Sequence, residues 1–267
     1  MLFSKRIEQG NIGDIAYANG TVQVQAVKLN VFAFVVDGIA IDAGSQSLEK
    51  QFQSFFDEQS IDELYCTHIH EDHTGGVAWF EQQNLPIYLY HASIGEAEKK
   101  GEYPLYRKML WGERPPFKAQ PIPETFSSRK YKWKSIYTPG HSYDHTAFLN
   151  TSTGQLFTGD LFLQVKTKLI MDNESVPKTI QSIEQVLAYD FEEILCNHAG
   201  HIPNGRQKLQ EKLDYLLHVS GEVERLYQQG QSVEEIHAQL FPRMYPITKL
   251  SFSQWDSKHI VTSILEA

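Results

Sequence analysis

Thr67-His68-Ile69-His70-Glu71-Asp72-His73-Thr74-Gly75-Gly76 carries the densest chemistry in the chain. His68, His70 and Asp72 recur at a spacing of two, so an extended backbone leaving a strand presents all three on one side. His73 then reaches a different point as the chain turns into a helix. Imidazole nitrogens suit one metal ion, and a carboxylate with an imidazole suits a neighbouring one. The competing explanation, a solvated polar turn, gives three histidines in six residues no purpose.

Three later segments have the same character. Thr138-Pro-Gly-His141-Ser-Tyr-Asp-His145 sets a histidine in a Gly-tightened turn before a strand. Phe157-Thr-Gly-Asp160 places a carboxylate at a strand end, and Leu195-Cys-Asn-His198-Ala-Gly-His201 places a histidine after an apolar strand. One strand-end His or Asp alone is more often a turn former. Four such segments in order point to a shared site at the strand-end loops of a layered α/β sheet.

The surrounding pattern agrees with that architecture. Residues 21–42 read as strands joined by tight turns, including the apolar run Val31 to Val36 that stops at Asp37-Gly38. Leu48, Phe52, Phe55 and Phe56 have helical spacing across residues 45–59. Ile61 to Ile69 and Ile87 to Tyr90 read as strands, with a helix from Gly75-Gly76 between them. Residues 100–126 are rich in Pro, Gly and aromatics without sustained periodicity, the texture of a functional loop. Short strands follow at 135–138, 145–149, 155–158 and 193–196. From Asn204 the pattern turns helical: a long helix over 205–229, a capping box at Ser232 and Glu235, and a last helix over 253–265. The expected organisation is a core of residues 1–204 and a helical extension of residues 205–267 packed on it.

Composition sets outer bounds. The 267 residues carry 24 Lys+Arg against 33 Asp+Glu, a formal charge of −9, which argues against a general grip on nucleic acid or anionic membrane. A 41% hydrophobic share excludes a disordered chain. Two cysteines, Cys66 and Cys196, rule out a disulfide framework and are expected as buried inert thiols in a reducing cytoplasm. The opening residues MLFSKRIEQGNIGD lack the apolar core of a signal peptide, and no stretch is long enough to span a bilayer. Composition leaves one excess: of eleven histidines, seven fall in the segments above.

Together these segments resemble the metallo-β-lactamase superfamily of αββα sandwich metallohydrolases. His68-x-His70-x-Asp72-His73 matches its signature, and His141, Asp160 and His198 match its later motifs. The run Asn30 to Gly44 looks like its N-terminal strand pair, whose Asp-Ala-Gly turn approaches the site. The match covers about residues 20–205. The resemblance implies a four-layer α/β fold with a C-terminal helical extension, as in a bacterial branch of the family. It also implies two divalent metals, zinc first and iron or manganese as alternatives. His68, His70 and His141 would hold one, Asp72, His73 and His198 the other, with Asp160 bridging. His198 fits the fifth motif better than His201, and His145 is expected to be structural.

The implied reaction is hydrolysis by a metal-bridging hydroxide that Asp72 also orients. Departures from the known branches narrow the substrate. Asp160 is unlike the β-lactamases, and His70 is unlike the flavodiiron type. Leu163 stands where homoserine-lactone lactonases have Tyr. The Gly-Gly-Cys-Gly stretch of hydroxyacylglutathione hydrolases is absent, and so is the exosite arm of transfer-RNA-processing relatives. The expectation is a small-molecule ester, thioester or lactone, with Tyr103, Tyr106, Trp111 and Phe117 walling an apolar pocket. A phosphodiesterase is the alternative, with Arg107, Lys108 and Lys118 as its anion-binding cations. A non-catalytic metal-binding scaffold is a third reading, against which the full ligand set argues.

Overall fold

Val31 to Val36 is a strand with no solvent face. Val31, Ala33 and Val35 point into one apolar cluster, while Phe34 and Val36 point into another. A run buried on both sides belongs to an inner layer, where helices cover one face and a second sheet the other. The second half of the chain repeats the arrangement. Leu156 enters a helix-facing cluster while its neighbour Phe157 faces the first sheet, and Ala147 and Leu149 alternate with Phe148 in the same way.

This computed structural model describes residues 3–266. In chain order the elements are β1 (Phe3–Ile12), β2 (Ile15–Val24), β3 (Val27–Val36), β4 (Ile39–Ile41), α1 (Glu49–Asp57), β5 (Glu63–Tyr65), α2 (Glu71–Thr74), α3 (Val77–Gln82) and β6 (Ile87–Leu89). Next come α4 (Ile94–Ala97), α5 (Leu105–Trp111), β7 (Gln120–Pro121), β8 (Thr125–Ser127), β9 (Lys132–Tyr137), β10 (Thr146–Asn150) and β11 (Gln155–Gly159). The remainder is β12 (Ile170–Met171), α6 (Val176–Leu187), β13 (Glu193–Cys196), β14 (Gly200–Ile202), α7 (Gly205–Gln228), α8 (Val233–Leu240), α9 (Pro246–Leu250), β15 (Trp255–Asp256) and α10 (Lys258–Leu265).

The first sheet runs β1-β2-β3-β4-β5-β6-β7, antiparallel as far as β4 and parallel from β4 to β7. The second runs β14-β13-β11-β10-β9-β8, with β11 and β13 parallel. Between the sheets lies an aromatic layer in which Tyr65 stacks on Phe126 at 4.0 Å and Phe34 meets Phe157 edge-on at 5.5 Å. Phe52, Phe55 and Phe56 of α1 cover the first sheet together with Phe80 of α3. The outer face of the second sheet shares one cluster with Ile183 of α6, the stripe Leu209, Leu213 and Leu216 of α7, and Val261 of α10. The result is the α/β sandwich of helix, sheet, sheet and helix expected from the motifs.

Several local expectations are corrected. The spacing-two reading of the ligand stretch fails beyond His70: β5 ends at Tyr65, and Asp72 and His73 sit on the single turn of α2. One helical turn brings Asp72 round toward the pocket while His73 turns inward. The segment 100–126 is not uniformly irregular, since α5 and the two short strands β7 and β8 lie in it. Residues 3–12 form a long hairpin strand, and α6 and α9 are helices that the alternating strand pattern obscured. Ser175 caps α6 by accepting from the Lys178 N–H, and Pro177 stands in its first turn, where its missing donor costs nothing. The capping box at Ser232 and Glu235 is present. Among the described residues no helix is long and apolar enough to cross a membrane.

Gly76 is required where the ligand stretch meets the turn after β4. A Cβ there would stand 2.2 Å from the Ala43 carbonyl oxygen, and backbone cannot swing aside as a side-chain tip can. Gly76→Ala is expected to destabilise the fold by about 1–3 kcal/mol, measured as a lower denaturation midpoint. An unchanged midpoint would show that this contact yields.

Candidate metal centre

The segments singled out by sequence meet at one end of the sandwich. Asp42 follows β4, residues 66–73 follow β5, residues 138–145 join β9 to β10, Asp160 follows β11 and His198 closely follows β13. Strands β4 and β5 run parallel, as do β11 and β13, so their carboxyl ends open on one side. Two backbone links and one from a side chain lock the two sheets together there. Thr146 N–H donates to the Thr67 carbonyl at 2.8 Å, Phe32 N–H to the Asn197 carbonyl at 2.6 Å, and the Asn197 side-chain amide returns a bond to the Phe32 carbonyl at 2.8 Å.

All seven predicted ligand residues are brought together. His68, His70 and His141 form one group; His68, His73 and Asp160 form a second; Asp72, His73 and His198 form a third. Within each group the ligand atoms lie within 4.8 Å of one another. His68 Nε2 is 2.9 Å from His70 Nδ1, which is 3.1 Å from His141 Nε2. Ligands on a tetrahedral ion with bonds near 2.0–2.1 Å stand roughly 3.3 Å apart, so this crowding of nitrogens has the scale of a coordination sphere. Asp160 touches both sets: Oδ2 is 3.2 Å from His141 Nε2 and 3.1 Å from His198 Nε2, and Oδ1 is 3.3 Å from His73 Nε2. Asp72 Oδ2 lies 3.6 Å from His198 Nε2 and 3.9 Å from His73 Nε2.

His73 Nε2 and Asp160 Oδ1 are buried without a hydrogen-bond partner. Buried polar atoms left in that state are costly unless they face a cation or a donor. Together with the donor chemistry, two imidazole-rich groups joined by a carboxylate, this fits divalent metal.

Charge is arranged accordingly. Burial and neighbouring histidines hold His68 well below the ordinary histidine range; burial and the Arg107 charge do the same to His70, so both are neutral and ready to ligate. Burial would also lower His73 and His198, but carboxylates outweigh it. Asp42, Asp160 and Asp72 hold His73 well above the ordinary range, and Asp160 and Asp72 raise His198 to about 9. Burial opposes ionisation of Asp160, yet His198, His73 and His141 pull its carboxyl well below the usual range.

Residues beyond the seven fix these ligands in place. His73 Nδ1 meets Asp42 Oδ2 at 2.7 Å, which aims Nε2 at Asp160. His141 Nδ1 meets Glu174 at 3.1 Å, and His198 Nδ1 donates to the Asn30 carbonyl. Such partners set tautomer and ring angle. Asp144, fully buried, accepts from Ile69 N–H at 2.9 Å and Ser93 Oγ at 2.8 Å, tying the ligand stretch to the His141 turn. His145 is structural: its Nε2 accepts from the Asp160 N–H at 3.0 Å and its other nitrogen meets Thr138 Oγ1 at 2.8 Å. His201 lies apart, 2.6 Å from Glu193. Of these supporting residues Asp42 with its turn and His145 stand out in the sequence; Asp144 is inconspicuous beside His145, and Glu174 carries no sequence signal at all.

A pocket of about 460 Å³ opens over the centre, walled by Leu29, Trp111, Leu169, Met171, Ile247 and Trp255 among others. Of the four aromatic residues expected as pocket wall, Trp111 lines it, while Tyr106 and Phe117 pack into the first sheet's helix-facing core. Tyr103 lies beside Arg107, its ring 5.4 Å from the guanidinium. Of the expected anion-binding cations, Arg107 lines the pocket, but it and Lys108 are already paired with carboxylates. Arg107 makes a bidentate pair with buried Glu71, at 2.6 Å on each side, and Lys108 pairs with Glu113 at 2.5 Å. Lys118 is exposed and does not line the pocket.

The profile of the metallo-beta-lactamase superfamily matches residues 29–198. The chain belongs to this superfamily, and its described residues include three groups that could hold a metal ion. Solved structures agree on the fold. A metallo-beta-lactamase family protein of Thermus thermophilus superposes with a TM-score of 0.68 at 17% identity, over 96% of this chain and 94% of that one. A beta-lactamase domain protein of Burkholderia ambifaria gives 0.70 at 16% identity, over 97% and 88%. Among curated relatives, an atrochrysone carboxyl ACP thioesterase of Aspergillus fumigatus is 26% identical over 202 residues, 73% of this chain and 58% of that protein. A probable metallo-hydrolase of Bacillus subtilis is 30% identical over 108 residues, 40% of this chain and 48% of its own length. The matches thus span about half of those relatives.

Two outcomes are expected of the centre. Asp42→Ala should weaken metal binding by about 10- to 100-fold, read by chelator competition; unchanged affinity would show that His73 needs no such support. Because carboxylates hold His73 and His198 above the ordinary histidine range, metal uptake at pH 7 is expected to release protons. Affinity should therefore rise with pH through the range in which His198 titrates, about 9. Calorimetry in buffers of different ionisation enthalpy measures the release, and a pH-independent affinity would contradict it.

Proposed function

We propose that this protein is a dinuclear metallohydrolase that cleaves small esters and thioesters, with thioesters as the favoured substrates and lactones in the same chemical class. The carrying observation is the meeting of two three-residue ligand groups, joined by Asp160, on the wall of a largely apolar pocket. His68, His70 and His141 would hold one ion, and Asp72, His73 and His198 the other. Zinc suits the mixed imidazole and carboxylate set, and iron and manganese are distinguished from it by metal analysis. Bound divalent ions supply an ionised water at neutral pH and polarise the carbonyl under attack.

The chain's own residues do the rest. Asp72, on the pocket wall, would orient the attacking hydroxide. Trp111, Leu169 and Ile247 exclude bulk water and receive the apolar parts of the substrate. The thioesterase activity named for the Aspergillus fumigatus relative supports the choice of bond. The pairing of Arg107 with Glu71 and of Lys108 with Glu113 weighs against the phosphodiester alternative, because each of these two cations already holds a carboxylate. The two free buried thiols, Cys66 and Cys196, suit a reducing cytoplasm.

The test is metal analysis with a panel of thioesters, esters, lactones and phosphodiesters. Thioester turnover that chelator abolishes and zinc restores is expected. His70→Ala should lose metal, and Asp72→Asn should lower kcat by about 10²- to 10⁴-fold. Turnover confined to phosphodiesters, or full activity in both variants, would sink this reading.

A further inference from the structure

Lys212 lies in the third turn of α7 with only 5% of its surface exposed. Its ammonium donates to the Leu161 carbonyl at 2.8 Å, and among the described residues no carboxylate pairs with it. An ammonium taken out of water without a counter-charge is costly, and three donors with one protein acceptor leave it under-satisfied. Burial lowers its pKa to about 8. The metal centre makes no use of it.

Lys212 borders a recess of about 60 Å³ walled also by Leu161, Val176, Leu216 and Ile170. His141 and Asp160 form its other end, and Leu163, Lys168 and Trp255 line both this recess and the main pocket. The recess is therefore the inner end of the substrate pocket. One water needs about 10–15 Å³ of such space, so there is room for a short chain. Two carboxylates share the wall, and each is engaged: Asp160 with the histidines of the centre, Glu174 with His141 Nδ1 at 3.1 Å and Met171 N–H at 2.8 Å. Lys168 adds a second positive charge.

We propose that this recess is the acyl subsite, and that Lys212 receives a carboxylate at the far end of a short acyl chain. The preferred substrates are then monothioesters of dicarboxylic acids a few carbons long. The inference rests on the thioesterase reading and deepens it. Apolar side chains contact the methylenes, the reacting carbonyl sits by His141 and Asp160, and the distal charge satisfies the buried ammonium. An uncharged acyl group of equal length leaves that ammonium unpaired, which is how a buried polar group discriminates.

The test uses zinc-loaded protein and N-acetylcysteamine thioesters of acetate, butyrate, malonate and succinate. Wild type should favour the malonyl and succinyl compounds by about 10- to 100-fold in kcat/KM. Lys212→Met should erase the preference and leave acetyl and butyryl turnover in place. Lys212→Gln keeps a donor for the Leu161 carbonyl without the charge, and covers the case in which the Met variant fails to fold. A second readout is independent of turnover: calorimetric binding of monomethyl succinate against dimethyl succinate, with the monoanion favoured in wild type only. If no thioester is cleaved but this Lys212-dependent preference holds, the thioesterase reading falls and the anion subsite stands. If wild type shows no preference in binding, or the variants lower both classes equally, the subsite is overturned.

Discussion

The carboxylate of Asp42 is the fixed point of the site. It is fully buried, sits at φ +59°, and receives three donors: Thr67 N–H at 2.7 Å, Thr67 Oγ1 at 2.8 Å and His73 Nδ1 at 2.7 Å. A buried carboxylate is tolerated when its oxygens are satisfied in this way. One residue thereby joins the end of β4, the end of β5 and the turn of α2. With Nδ1 committed, His73 has only Nε2 left to offer, and it points to where Asp160 and Asp72 converge. The next residue repeats the clamp, since Ala43 N–H donates to the His73 carbonyl at 2.7 Å.

Asp144 plays the same part from the other sheet. It holds the Ile69 N–H while standing in the turn that carries His141, so the two halves of the ligand set are registered through one carboxylate. The site belongs to neither sheet alone. Its electrostatics follow from that convergence: neutral His68 and His70 on one side, carboxylate-backed His73 and His198 on the other, and Asp160 between them. Packing this many ligand atoms within a few Å stores mutual repulsion among lone pairs and carboxylates, which a divalent cation converts into attraction. Second partners such as Glu174 and the Asn30 carbonyl keep the rings from turning away.

Much of the fold was legible because one periodicity serves one face. The double-sided burial of Val31 to Val36 and the Leu stripe of α7 are readable from spacing, and so is the capping box at Ser232. Elements whose signal is weak or mixed were not. Residues 3–12 form a mostly solvated hairpin strand, and α5 sits between Pro- and Gly-rich flanks that mask its seven residues. The placement of Asp72 departs from the spacing-two expectation because a period of two and the first turn of a helix look alike over so few residues.

For the site, sequence alone determined the inventory: which histidines and aspartates cluster, in what order, and after which strands. These are local properties, set by residue type and by the turn that follows a strand. Tertiary structure decided everything that depends on distance between remote segments. It paired Arg107 with Glu71 instead of leaving it for a substrate anion, and it sent Phe117 and Tyr106 to the core while keeping Trp111 at the pocket. It also set Lys212, on a helix with an ordinary amphipathic pattern, beside a recess that Asp160 also lines. Such contacts have no local signature, because the groups that satisfy or neutralise a side chain come from other elements, and only the folded packing brings them within reach.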